Sequence, residues 1–381
     1  MTTITAKIQI YVSDKQAESL KITANAYRKA CNWLSKYIFA TKTLNQVKLN
    51  NLYYKQLRNL FGLKSQMAQS VMKTVIARYK SAKSNGNEWS LIEFKLPEYD
   101  LVWNRDYSLT QNQFSLNTLD GRLRLNYERK AMKKYFNGTW KFGTAKLVNK
   151  YNKWFLHIPM TKDFPELDHI NVNNIVGIDL GINFLATTYD SQGKTTFYSG
   201  KIVKHKRGAF KATRKQLQKQ QTPSARKKLK QIGSRENCYI TDVNHRITKA
   251  LIDKYPRGTI FVLEDLKGVR SATEKVRVKN RYISVSWAFY QFRQMLEYKT
   301  KMNGQKVIIV DPKYTSQTCP KCGHVEKANR NKKLHTFKCK NCQYQSNDDR
   351  IGAMNVHRKG IEYIGVVTHK GRRAMLVRTA G

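Results

Sequence analysis

Two C-x2-C pairs, Cys319-Pro320-Lys321-Cys322 and Cys339-Lys340-Asn341-Cys342, stand sixteen residues apart in the last fifth of the chain. Each pair can aim two thiolates at one centre, and two pairs close a tetrahedral Zn–S4 site. The stretch therefore reads as a zinc ribbon in which Cys319, Cys322, Cys339 and Cys342 hold a structural Zn2+. With four thiols available, none of His324, His335 and His357 is needed as a ligand. Directly after the ribbon comes Asn347-Asp348-Asp349-Arg350-Ile351-Gly352-Ala353-Met354-Asn355, a carboxylate pair opening a helix of small residues. The other two cysteines, Cys31 and Cys238, read as small buried hydrophobes rather than a disulfide, which suits a reducing cytosol.

Charge sets the class of partner. Lys and Arg outnumber Asp and Glu by 71 to 26, a formal net charge of +45 over 381 residues. Repulsion on that scale calls for a polyanion, and phosphate neutralisation makes nucleic acid the expectation. No apolar run approaches a spanning helix and no signal peptide opens the chain, so no membrane partner is expected. A zinc knob before an acidic helix, in a chain this basic, points to a nuclease rather than a transcription-factor finger.

Periodicity divides the chain. Ile4-Thr5-Ala6-Lys7-Ile8-Gln9-Ile10-Tyr11 alternates at period two and reads as a strand. From about Ser13 to Ala82 the pattern is helical, with Met67, Val71, Val75 and Tyr79 on one core-facing stripe. Ser84-Asn85-Gly86-Asn87 breaks the helices. Between about 90 and 168 the chain alternates again, which predicts a small barrel that the first strand joins and that the helices interrupt. Asn174-Ile175-Val176-Gly177-Ile178-Asp179 and Thr259-Ile260-Phe261-Val262-Leu263-Glu264 are nearly continuous apolar runs, as in strands buried on both faces. Lys306–Val310 is a third. Between them a basic helix from Lys201 to about Lys230 and a second helix to Ile252 imply an α/β layer.

Asp179 and Glu264 end buried strands, where a carboxylate is costly unless paired or bound to metal. Asp349 opens the helix after the ribbon, and Asp348 beside it reads as the N-cap. Three hard oxygen donors suit Mg2+ or Mn2+.

The motifs Gly177-Ile178-Asp179-Leu180-Gly181, Leu263-Glu264-Asp265-Leu266, Tyr314-Thr315-Ser316-Gln317-Thr318-Cys319 and Asp349-Arg350-Ile351-Gly352-Ala353-Met354-Asn355, in this order, resemble those of the TnpB family. These are transposon-encoded RNA-guided nucleases akin to compact type V CRISPR effectors. Ser286-Trp287-Ala288-Phe289 with Tyr298-Lys299 looks like the family's linking helix. Ile351 departs from the pattern, standing where the family often has Asn. The resemblance implies an α/β RNase H-like (RuvC) nuclease domain over 169–318 and 343–360, with a zinc ribbon that binds target nucleic acid inserted at 319–342. It further implies a wedge β-barrel over 1–12 and 90–168, a helical recognition domain over 13–89 and a basic tail over 361–381. Asp179, Glu264 and Asp349 match the catalytic, Mg2+-binding acids. The implied activity is RNA-guided cleavage of double-stranded DNA, with a guide RNA from the transposon end. A monomer in the prokaryotic cytoplasm, working at the nucleoid, is the expectation.

Lys204, Lys206, Arg207, Lys211, Arg214 and Lys215 lie in the densest basic segment and read as phosphate contacts to guide RNA or heteroduplex. Tyr53, Gln66, Gln69, Ser70 and Lys73 have the chemistry to read a short flanking DNA motif. His245 and Asp242 precede the second acidic strand and read as surface or core-satisfied groups. Two rivals stay open, a guided DNA-binding repressor that does not cut and a structure-selective nuclease that needs no guide.

Overall fold

The computed structural model describes residues 1–130, 132–150, 152–167, 172–266 and 288–378, with side chains described up to 366. Ser286 and Trp287 lie outside the described residues, as do the side chains of most of the basic tail. The chain divides into two compact units, Met1–Asp163 and Phe164–Gly381.

In the first unit β1 (Thr2–Tyr11) is followed by three helices, α1 (Asp14–Thr41), α2 (Gln46–Phe61) and α3 (Ser65–Ser84). Ser13 opens α1 with a reciprocal cap. Its hydroxyl accepts from Gln16 N–H, while Gln16 Oε1 accepts from Ser13 N–H at 3.0 Å. Then come β2 (Glu98–Leu101), β3 (Tyr107–Leu109), β4 (Phe114–Asn117), β5 (Arg122–Tyr127), β6 (Lys141–Phe142), β7 (Ala145–Lys150) and β8 (Lys153–Lys162). The sheet runs β2-β7-β8-β1-β5-β4-β3, with β6 also on β8. β1 pairs antiparallel with β8 from Thr2 opposite Lys162 to Ile10 opposite Trp154, then passes to β5 at Ile10. The stripe Met67, Val71, Val75 and Tyr79 is buried, as its period requires, and so is Cys31.

The second unit is built on five strands, β9 (Asn174–Asp179), β10 (Phe184–Asp190), β11 (Thr195–Ser199), β12 (Thr259–Glu264) and β13 (Lys306–Val310). Their order is β11-β10-β9-β12-β13; the first three run antiparallel, and β12 lies parallel to both β9 and β13. Helices α4 (Lys201–Gln220) and α5 (Pro223–Lys254) cross from β11 to β12, and α6 (Phe289–Met302) precedes β13. A small antiparallel sheet of β14 (Arg330–Asn331), β15 (Thr336–Lys338) and β16 (Gln345–Asn347) leads into α7 (Asp348–Arg378).

Both faces of the five-stranded sheet are covered. Val176, Ile178, Phe261 and Leu263 pack with Val243, Ile247 and Leu251 of α5 and Phe292 and Leu296 of α6. The alternate residues Ile175, Ile260, Val262 and Ile308 pack with Val356 and Ile364 of α7. This double burial is why the strands read as unbroken apolar runs.

Two sequence expectations change. The first basic helix stops at Gln220, ten residues early, because Gln221 turns left-handed (φ 51°) and Thr222 caps a new helix with Pro223 at its first position. Cys238 is exposed rather than buried, on the outer face of α5. Among the described residues no helix is long and apolar enough to cross a membrane.

Candidate functional site

Asp179 and Glu264 are the last residues of β9 and β12. The parallel ladder sets Leu263 opposite Ile178, so the next step along both strands places the two carboxyls side by side. By strand alternation both point to the face covered by α7. The third acid arrives from the start of that helix. Asn347 Oδ1 accepts from the N–H groups of Asp349 and Arg350, both at 3.1 Å, and thus caps α7. Gly352, on the same first turn, lies so close that a Cβ there would stand 2.9 Å from Asp179 Cγ. Asn355 fixes the turn from the other side, donating to the carbonyls of Thr315 and Thr318 at 2.7 and 2.8 Å.

Burial is the main cause that pushes the Asp179 carboxyl well above the usual range, with the charges of Glu264 and Asp349 adding to it. Burial also raises Glu264, against a Thr315 hydrogen bond and the charges of Lys359 and Arg330. Asp349 is raised by burial and by Asp348. Thr187, the cross-strand neighbour of Asp179, keeps a buried hydroxyl with no protein partner. A desolvated cluster of like charges beside an unmatched hydroxyl is an environment that a hydrated divalent cation would relieve.

The ribbon reaches into this cluster. Arg330 Nε donates to Asp348 Oδ2 at 2.9 Å, and its Nη2 lies 3.9 Å from Asp349 Oδ1. His335 Nδ1 stands 3.6 Å from Asp348 Oδ1 and the ring meets the Asn183 amide, whose Oδ1 accepts from Lys204 Nζ at 2.6 Å. Asp348 is only 1 % exposed. It is thus a buried anchor for the ribbon hairpin, and the N-cap expected there is Asn347. Sequence reading missed Arg330 and Asn183, and gave Thr315 no role beyond its motif and His335 none beyond a spare zinc ligand. They sit in loops and short strands with no periodicity, and only the fold brings them to the acids.

The four thiols gather with all sulfurs within 4.8 Å of one another. Cys319–Cys342 and Cys322–Cys339 are each 3.6 Å apart, and in a Zn–S4 tetrahedron with bonds of about 2.3 Å the edges are about 3.8 Å. The donor set and its size therefore fit Zn2+. The His324 backbone N–H pulls the Cys322 thiol down to about 6, whereas burial pushes Cys319 up to about 12. Phe337 packs with Cys319, Cys339 and Ile351 of α7, so the ribbon and the acid-bearing helix share one small core. Cys339→Ser is expected to drop zinc from about one equivalent to near none and to open residues 319–345 to protease, because so small a module has little core without its metal. Metal analysis and limited proteolysis of the full chain check this.

The basic candidates divide. Lys206, Lys211 and Lys215 are exposed on α4, Lys206 lying 4.5 Å over the Tyr239 ring. Arg207, 4 % exposed, and Arg214 both pair with Glu236. Arg207 therefore cannot be the phosphate contact expected of it, because it neutralises a buried carboxylate. In the first unit Ser70 is 3 % exposed and cannot reach a ligand, since it lies on the core side of α3. Tyr53 packs against Trp33 and Tyr37, Gln66 accepts from Arg105 at 2.9 Å, Gln69 is half-buried and Lys73 is exposed. Asp242 pairs with Arg246 on the surface, and burial lowers His245.

The chain is similar to known proteins. Residues 157–268 match a family described as probable transposase (OrfB, IS605), and 289–356 match the Cas12f1-like TNB domain. A CRISPR-associated endodeoxyribonuclease Cas12f1 from Syntrophomonas palmitatica is 26% identical over 283 residues, 68% of this chain and 55% of the relative. The putative RNA-guided DNA endonuclease InsQ of Escherichia coli is 29% identical over 54% of this chain and 53% of its own. A TnpB-like protein of Methanocaldococcus jannaschii is 28% identical over 61% of this chain and 84% of its own. The chain spans about half the length of the Cas12f1 relatives it matches. In fold it resembles a Cas12f1 solved with guide RNA and target DNA, at a TM-score of 0.64 and 16% identity, covering 91% of this chain and 83% of that one. The TnpB resemblance drawn from the motifs holds in these matches.

Proposed function

We infer that this chain, similar to TnpB and Cas12f proteins, is an RNA-guided DNA endonuclease with one hydrolytic centre at Asp179, Glu264 and Asp349. The reading is carried by Asp179 and Glu264, neighbours at the ends of adjacent parallel strands, and by Asp349, whose charge acts on Asp179 from the first turn of a helix that shares its core with the four-thiol ribbon. The strand order and directions of the second unit support an RNase H-like (RuvC) fold. The eight-stranded sheet with its helical insertion supports a wedge barrel and a recognition domain.

The acids suit Mg2+ or Mn2+, which would supply Lewis acidity toward the scissile phosphodiester. The chain's own part is positioning. The ladder fixes Asp179 beside Glu264, the Asn347 cap and the Asp348–Arg330 pair fix Asp349, and the Arg330 guanidinium offsets part of the acids' charge. Guide RNA would lie along the exposed cations of α4, and pairing with the guide would choose the target. The working place would be the nucleoid of a prokaryotic cytoplasm.

The test is to co-express the protein with the DNA flanking its gene, purify it at high salt and sequence the RNA that stays bound. One discrete species encoded beside the gene is expected, and it should program Mg2+-dependent cutting of matched DNA. Heterogeneous RNA, together with cutting of branched DNA by the RNA-free protein, would replace this reading with the guide-independent nuclease.

The two kinds of cation on α4 should separate experimentally. Lys215→Ala is expected to reduce the slope of log K against log salt for RNA by about 0.7 without changing stability. Arg207→Ala should leave the slope unchanged but cost about 3 kcal/mol, because it strips a partner from buried Glu236. Salt-series binding and urea unfolding of both variants measure the contrast.

A further inference from the structure

In the first unit an open cavity of about 650 Å³ is lined by α1, α3, the segment 93–98, β2 and β7. Sites for small ligands span about 300–1,000 Å³. One wall is a hydrogen-bonded chain, in which the Thr74 hydroxyl donates to Asp100 Oδ2 at 2.5 Å and stands 2.8 Å from the Tyr27 hydroxyl. Lys146 lies 3.0 Å from Glu98 and 3.6 Å from Asp100, so those two carboxylates already have their cation. Phe94 is mounted firmly, because Asn32 bonds its backbone twice, at 2.7 and 3.0 Å.

Arg28 is not matched in this way. It enters the cavity from α1, half-buried, and its Nε is buried with no hydrogen-bond partner. Among the described residues it has no ion pair, although acidic groups line the same space. A charged donor left unmatched is costly, and an apolar side chain of similar length would fill the place without that cost. Arg78, on the cavity-facing side of α3 with Thr74, stands as a second guanidinium at the mouth. Tyr27 shows the cavity only its hydroxyl edge, since its ring is buried against Tyr99, but two forked cations beside the half-buried Phe94 ring match a phosphate joined to a planar base.

We propose that this cavity binds one nucleoside phosphate, its phosphate on Arg28 and Arg78 and its base against Phe94. The source is either a free nucleotide or a single nucleotide turned out of a bound strand. The second source rests on the guided-nuclease function; the first does not.

Full-length protein is titrated calorimetrically with AMP, CMP, GMP and UMP. In parallel, its RNA complex is irradiated at 254 nm and crosslinked peptides are mapped. Mononucleotide binding identifies the free source, and crosslinks at Phe94 identify the strand. Whichever signal appears, Arg28→Met should weaken it about tenfold or more, the worth of one charge-assisted hydrogen bond, with a melting temperature equal to or above that of the parent. Arg78→Gln should weaken it at unchanged melting temperature. A lower melting temperature or failure to fold for Arg28→Met would make the guanidinium structural and overturn the site. Absence of both signals in the parent would overturn it as well. A protein that binds mononucleotides but retains no RNA would leave the site standing while the guided-nuclease reading fell.

Discussion

Asp179→Ala is expected to abolish target cleavage, by about a thousandfold or more, while RNA and target binding stay within about twofold. The separation follows from position. Asp179 lies at the end of β9 beneath the first turn of α7, facing Glu264 and Asp349 rather than the exposed cations of α4. The same geometry sets a second expectation, which Asp179→Asn tests at constant volume. Asp179, Glu264 and Asp349 are all raised in the fold, so the native chain holds protons that the unfolded chain has released. Stability then falls as pH climbs from the unfolded carboxylate range through the raised native one. In EDTA at neutral pH the Asn variant should therefore melt above the parent, and Mg2+ should raise the parent but not the variant. Undiminished cutting by the Ala variant would remove Asp179 from the centre. A variant that melts lower in EDTA would mean that the acids are not a repelling cluster.

Much of this centre was legible before the fold was known, for a physical reason. A carboxylate ending a β-strand buried on both faces is costly, so Asp179 and Glu264 stood out from their apolar runs. The C-x2-C pairs carry their geometry in their spacing. The supports did not stand out. Arg330 and His335 are ordinary residues of a basic hairpin, and their meeting with Asp348 depends on how β14 and β15 fold back over α7. Arg207 shows the opposite failure. In sequence it is one cation among many, and only the packing of α4 on α5, which brings Glu236 beneath it, takes it from solvent. Ser70 fell to the same cause, since a small polar residue beside a helix's apolar stripe can turn to either side. The early stop of the first basic helix was encoded in Thr222-Pro223, a cap and first-position pair overshadowed by the charge run.

Gly177→Ala is expected to be severely damaging, costing about 3 kcal/mol or more and cleavage with it. A Cβ at Gly177 would stand 2.3 Å from the carbonyl oxygen of Ala353, 2.4 Å from His357 N and 2.8 Å from His357 Cα. All three are backbone atoms of α7, so no rotamer change relieves the collision. Either β9 or the helix must move, and β9 is held by ladders to β10 and β12. Displacing α7 carries Asp349 with it, four residues before Ala353, while Asp179 stays on the strand two residues beyond Gly177. The expectation is therefore a double loss, in which the fraction still folded at low temperature binds RNA but does not cut. Gly208→Ala is the control, because that glycine lies on α4 with nothing within 4 Å of its would-be Cβ. It should stabilise by about 0.5–1 kcal/mol through helix propensity alone. Urea unfolding and cleavage of folded protein at low temperature distinguish the two. If Gly177→Ala unfolded with the parent and cut normally, the close approach of α7 to β9 would not be what sets Asp349 against Asp179.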